Sequence, residues 1–172
     1  AGPVKIDPNA RLGYVAKVDT ATLKVVAECP VGYQPDELVI YGDKLYVANS
    51  GGYRVPNYDK TISIIDLKTF TEEKKVDVAI NLHRLELDNY GKIWVSSRGD
   101  YYHVPSKMFV FDPKTEKVTK TLDVSCSNMT LSGDSLFVYS TEWSYLTGEN
   151  TISYTVIDTK SQEVIDRDFI KD

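Results

Sequence analysis

The sequence predicts an all-β fold in which one four-stranded antiparallel unit is copied along the chain. Three observations predict it. Aspartates at Asp19, Asp66, Asp112 and Asp158 recur at intervals of 47, 46 and 46 residues. Each ends a short apolar run and is followed three residues later by a hydroxyl, at Thr22, Thr69, Thr115 and Ser161. Asp and Ser/Thr side chains bond nearby backbone N–H groups and set tight turns. Between the turns apolar residues alternate, as in Leu45/Val47, Ile62/Ile64 and Ile93/Val95, and nothing reads as a long amphipathic helix. A strand-only repeat of about 40–50 residues is the signature of a β-propeller blade.

The elements follow in order. The N-terminal piece, 13–31, matches only the last two strands of a unit and reads as a half blade. Complete blades follow at 36–78, 83–124 and 127–169, each with strands a, b, c and d. Strands a and b are joined by glycine turns at Gly42, Gly91 and Gly133, where glycine supplies positive φ. Strands c and d are joined by the aspartate turns. The chain thus reads as about three and a half blades. An incomplete blade leaves an exposed strand edge, so the remaining blades are expected from the rest of a larger protein or from another chain.

Strand alternation puts the a–b and c–d turns at one end of each unit and the b–c and d–a loops at the other. The b–c loops are long and aromatic: 50–59 with Tyr53 and Tyr58, 98–105 with Tyr101 and Tyr102, and 141–149 with Trp143 and Tyr145. Rings with a polar tip suit half-wet binding surfaces, and loops on a rigid scaffold commonly carry binding residues. The plain alternative is that these rings pack on one another to order long loops. The d–a loops place polar pairs before strand a: Asp36/Glu37, His83/Arg84 and Ser127/Asn128. They read either as a ring of hydrogen-bonding groups or as strand-end caps holding channel water.

The candidate stacking groups are therefore Tyr53, Tyr58, Tyr101, Tyr102, Trp143 and Tyr145. The candidate polar contacts are His83, Arg84, Arg98 and Asn128. Tyr33, Asp36, Arg54, Asp100 and His103, on the same loops, complete the set.

Other chemistry is thinly represented. Net charge is −5 with no basic block, which argues against nucleic acid as a partner. No apolar run reaches the roughly 18 residues of a membrane span. Cys29 and Cys126 fall at different phases of the repeat, so two separate thiols are expected rather than a disulfide. His83 and His103 have no recognised metal-ligand spacing, so no metal is expected. No hydrolase, protease, P-loop or dinucleotide motif occurs, so no catalytic residue or cofactor is assigned. His83, Arg84, Arg98 and Asp100 form the best acid–base cluster, with an ion-paired loop anchor as the simpler reading. Trp94 aligns with Tyr46 and Phe137 in strand b and is expected in the core.

Two stretches carry a family likeness. Leu45-Tyr46-Val47-Ala48-Asn49 followed by Thr61-Ile62-Ser63-Ile64-Ile65-Asp66 resembles the YVTN-type propeller repeat. The segment 81–88 with Gly91-Lys92-Ile93-Trp94-Val95 resembles the YncE-like propellers common among Bacteroides surface lipoproteins. The resemblance implies a seven-bladed ring and an extracytoplasmic location, at the cell surface or in the periplasm. Some such propellers bind cobalamin and pass it to an outer-membrane transporter. Together with the aromatic loops, this leads us to expect a non-enzymatic propeller that holds a small or medium ligand, a corrinoid or a glycan, on the aromatic loop face. A surface scaffold for a protein partner is the alternative, and a streptogramin-lyase-like enzyme is the second. The chain departs from the pattern at Ser125-Cys126-Ser127-Asn128, which lacks the usual Pro/His-Arg form.

Overall fold

In the computed structural model, which describes residues 11–144 and 147–170, every regular element is a β-strand. The chain divides into two compact units, one ending at Leu82 and one beginning at His83. The first holds a two-stranded sheet, β1 (Tyr14–Asp19) and β2 (Lys24–Pro30). It also holds the four-stranded sheet β3 (Pro35–Tyr41), β4 (Lys44–Asn49), β5 (Thr61–Asp66) and β6 (Thr71–Asp77). The second unit holds β7 (Leu82–Leu87) from His83 onward, with β8 (Ile93–Ser97), β9 (Lys107–Asp112) and β10 (Lys117–Leu122) in one sheet. Its other sheet is β11 (Asn128–Ser132), β12 (Ser135–Ser144), β13 (Glu149–Asp158) and β14 (Glu163–Asp166). The sheets follow chain order, each pair antiparallel as far as its register is defined. This is the blade of a β-propeller, and the fold is a partial one.

The aspartate turns form as their chemistry requires. Asp19 Oδ1 accepts from the Ala21 and Thr22 amides and from the Thr22 hydroxyl at 2.7–3.1 Å. Asp66 does the same with Thr69 N and Oγ1, and Asp158 with the Lys160 and Ser161 amides. These bonds hold all three carboxyls below their usual range, the Thr22 hydroxyl leading at Asp19 and the Thr69 and Ser161 amides at Asp66 and Asp158. Asp112 differs. It takes the Lys114 amide at 3.0 Å, and its largest pKa-lowering partner is the Lys92 ammonium, 2.8 Å away.

Each of these hairpins carries two further features that the residue types do not announce. Four residues after the aspartate the backbone is left-handed, at Leu23, Phe70, Glu116 and Gln162, with φ between 55° and 59°. A bulge follows on the d strand, where the register skips Val26, Glu73, Thr119 and Ile165. The four turns are thus one structural device at one period. A bulge residue has no partner on the neighbouring strand and strengthens the local twist. Val26 and Ile165, at two of these bulges, are apolar yet 58% and 60% exposed.

Packing runs between sheets. In the first unit Val15, Cys29 and Val31 of the two-stranded sheet and its exit meet Leu45, Val47 and Ile65. In the second, Trp94, Met108 and Val110 meet Cys126, Met129, Leu136, Val138 and Ile157. Trp94 is fully buried, as expected, and its indole N–H donates to Asp88 Oδ2 at 2.9 Å. Both thiols are free and buried, and burial pushes the Cys29 pKa up.

Two expectations are corrected. Period-2 alternation predicts half-buried strands, but β4 and β8 are buried almost throughout, with Ile93 to Ser97 all buried. Inner strands of stacked sheets lose both faces to packing. The composition of 141–149 predicts a loop, but β12 and β13 continue through it. The pairs Thr141↔Ile152, Glu142↔Thr151, Trp143↔Asn150 and Ser144↔Glu149 extend the hairpin.

Candidate functional site

The b–c and d–a connections lie at the same end of each sheet. In the second unit they enclose a cleft of about 840 Å³. Its walls are the start of β7, the 98–106 connection, Ser125 to Ser127 before β11, and the β12 end from Ser140 to Trp143.

The 98–105 loop is built around one carboxylate. Asp100 Oδ1 accepts from the Tyr102, His103 and Val104 amides at 2.9, 2.7 and 2.7 Å. Gly99, at φ 63°, sends its amide to Ser97 Oγ, and the Asp100 amide closes the loop on the Val104 carbonyl at 3.0 Å. Tyr101 is also left-handed, at φ 66°, a conformation that costs a non-glycine residue about 1–3 kcal/mol and persists only where neighbours hold it. The result is an outward display: Tyr101 is 53% and Tyr102 69% exposed.

The three amides, that of Val104 first, hold the Asp100 carboxyl below its usual 3.8. A depressed carboxyl stabilises its loop fully above the ordinary value and loses that contribution as pH falls through the lower folded one. The amide resonances of Tyr102, His103 and Val104 are therefore expected to stay fixed from neutral pH to about 4 and to shift together only below it. A common midpoint at or above the ordinary value would show that the carboxylate does not hold this loop.

His83 forms the floor and is 5% exposed. Its Nε2 lies 2.9 Å from Arg98 Nη2 and 3.1 Å from the Ser127 carbonyl. A guanidinium only donates, so the Arg98 bond needs the Nε2 lone pair, with the proton on Nδ1. The other tautomer donates to Ser127 instead. The two partners share one nitrogen. Across the cleft, Ser127 Oγ bonds both backbone groups of Thr141 and ties the d–a loop to the β12 hairpin.

The structure brings together His83, Arg84, Arg98, Tyr101, Tyr102, His103 and Trp143. Trp143 enters from the β12 hairpin. It lies on the opposite face of β12 from Ser140 and Glu142 and borders the cleft at the hairpin, half exposed. Asp100 acts through the loop it holds. Asn128 is exposed beside the cleft, its Oδ1 on the Met129 amide. Ser125, Cys126, Ser140 and Glu142 also line the cleft, although nothing in their residue types singles them out. Tyr145 lies outside the described residues.

The remaining candidates belong to the first unit. The Tyr33 amide donates to Asp59 Oδ2 at 2.8 Å, and the Arg54 guanidinium stacks 3.6 Å over the Tyr33 ring. Asp59 also takes the Thr61 amide and hydroxyl. Arg54 and Tyr33 are thereby engaged in ordering the 50–59 loop. Tyr53 projects from it at 81% exposure, Tyr58 is half-buried, and Asp36 is exposed at β3. Among the described residues no three His, Cys, Asp or Glu side chains converge as metal ligands.

No protein-family model matches this sequence, and no curated protein matches it. Solved structures do. Hydrazine synthase of Kuenenia stuttgartiensis matches over 94% of this chain with a TM-score of 0.72 and 18% identity. The dihydro-heme d1 dehydrogenase NirN, in complex with DHE, matches over 94% at 0.63 and 15%. The Pan2 WD40 domain of Neurospora crassa matches over 90% at 0.63 and 11%. The chain spans 52%, 34% and 46% of those three chains. Identities this low carry the fold alone, and the fold they share with this chain is the β-propeller.

Proposed function

We propose that this chain belongs to a non-enzymatic propeller that binds a small or medium-sized ligand with a flat face and polar edges, a corrinoid or a glycan, in the cleft of the second unit. One observation carries the reading. A cleft of about 840 Å³ lies under two outward-displayed tyrosines, with a buried histidine and two arginines in its lining. Ligand clefts run to about 300–1,000 Å³ and pair apolar surface with a few placed polar groups. The YVTN-like segments at 45–49 and 61–66 and the YncE-like segments at 81–88 and 91–95 support a surface-exposed or periplasmic protein, part of a larger ring and working with a transporter or another surface partner.

Calorimetric titration with cyanocobalamin and with a panel of neutral and acidic oligosaccharides tests the reading. One of them is expected to bind. Tyr102→Ala is expected to weaken that ligand about tenfold, the loss of one ring contact of roughly 1.4 kcal/mol. Binding that ignores Tyr101→Ala and Tyr102→Ala, or none across the panel, would sink it.

A further inference from the structure

The cleft does not end at the tyrosines. A recess of about 270 Å³ continues from it and shares Ser125, Ser140 and Glu142 with its lining. Antiparallel register sets Ser140 opposite Ser153 and Glu142 opposite Thr151, with Thr155 next on the same face of β13. Strand alternation therefore lines this recess with hydroxyls at Ser125, Ser140, Thr151, Ser153 and Thr155. Its charged groups are Asp123, ion-paired with Lys107 at 2.8 Å, Arg167, which donates to the Asp123 carbonyl at 3.3 Å, and Glu142 at the junction. The wider part carries two guanidinium groups, Arg84 and Arg98, together with the carboxylate of Glu142.

Resting on the ligand cleft argued above, we infer that the ligand is an acidic oligosaccharide. Its carboxylate meets Arg98 and Arg84, a sugar face lies on Tyr101 and Tyr102, and neutral hydroxyls enter the Ser/Thr recess. Three physical features support this class. Guanidinium groups bind carboxylates in a fork that neutral ligands do not use. Arg84 and Arg98 both reach the cleft, and each guanidinium carries five N–H donors, more than one neighbour engages. A row of hydroxyls ending in a carboxylate matches the alternating donors and acceptors of a sugar ring.

The test uses the full chain, with trigalacturonate, its carboxyl-free counterpart galactotriose, and cyanocobalamin as probes, by calorimetry at low and high salt. Trigalacturonate is expected to bind at least tenfold more tightly than galactotriose. That advantage is expected to shrink in high salt and to vanish in Arg98→Gln, while galactotriose is indifferent to the substitution. Arg84→Gln provides a second variant should Arg98→Gln unfold, and circular dichroism checks both. If cyanocobalamin or galactotriose binds as well as trigalacturonate, through Tyr102 but regardless of either arginine, the acidic ligand is overturned and the cleft stands. If none of the three binds, the inference fails outright.

Discussion

Trp94→Ala is expected to lower the unfolding free energy by about 3–5 kcal/mol, the cost of emptying a large aromatic site in a packed core. The indole is fully buried between the two sheets of the second unit, against Met108, Val110 and Leu136. Volume is only part of its contribution. Asp88 is 5% exposed; its Oδ2 takes the indole N–H, and its Oδ1 takes the Tyr90 and Lys92 amides that shape the a–b turn. Trp94→Phe keeps most of the volume and removes that donor. It is expected to cost about 1.5–3 kcal/mol, the range for a hydrogen bond to a charged group. Urea denaturation with an unchanged slope checks both values. A Phe variant as stable as the parent would show that the indole–carboxylate bond contributes nothing. An Ala variant within roughly 1 kcal/mol of the parent would remove Trp94 from the core.

The repeat is legible in the sequence because it is written in local chemistry. An aspartate accepting the amide two residues on sets the turn at Asp19, Asp112 and Asp158, and Asp66 takes the amide three residues on. Gly42, Gly91 and Gly133 mark the other turns by positive φ. The left-handed residue of each aspartate hairpin is not legible, since Leu23, Phe70, Glu116 and Gln162 are not turn residues by type. The surrounding hairpin imposes that conformation, as the Leu23 and Phe70 amides show by bonding the Asp19 and Asp66 carbonyls. Strand alternation in turn misleads for β8, because side chains on both of its faces are apolar or small and both are buried.

The cleft is partly legible. Tyr101 and Tyr102 stand out because aromatic residues crowd a loop. Ser125, Ser140 and Ser153 carry no signal, since only the register of β12 on β13 sets the Ser140 and Ser153 hydroxyls on one face. The same register sets Trp143 on the other face of β12 from Ser140 and Glu142, although all three line the cleft. Asp100 looks like a charge offered to a ligand, and its carboxylate is spent on three backbone amides. Residue type names what a side chain offers, and the fold decides where it is offered.

Gly99→Ala is expected to dismantle the cleft while leaving the sheets in place. A Cβ there would sit 1.9 Å from the Val104 carbonyl oxygen and 2.8 Å from the backbone carbons of Val104 and Pro105. Backbone cannot yield as the end of a flexible side chain does. The obstructed oxygen is the one that accepts the Asp100 amide and closes the loop. A left-handed alanine alone costs about 1–3 kcal/mol. Gly133→Ala isolates that cost, because Gly133 has φ 59° and a methyl group added there meets nothing within 4 Å. Gly99→Ala must therefore lose more stability than Gly133→Ala. It must also release the Tyr102, His103 and Val104 amides, which hydrogen exchange reads one by one. Trp94 and its neighbours include no residue of the 98–105 loop, so their amides are expected to keep their protection. Equal losses in the two variants, with the three loop amides still protected, would mean that the 98–105 loop closes without the Val104 contact. The tyrosines would then owe their positions to something other than this turn.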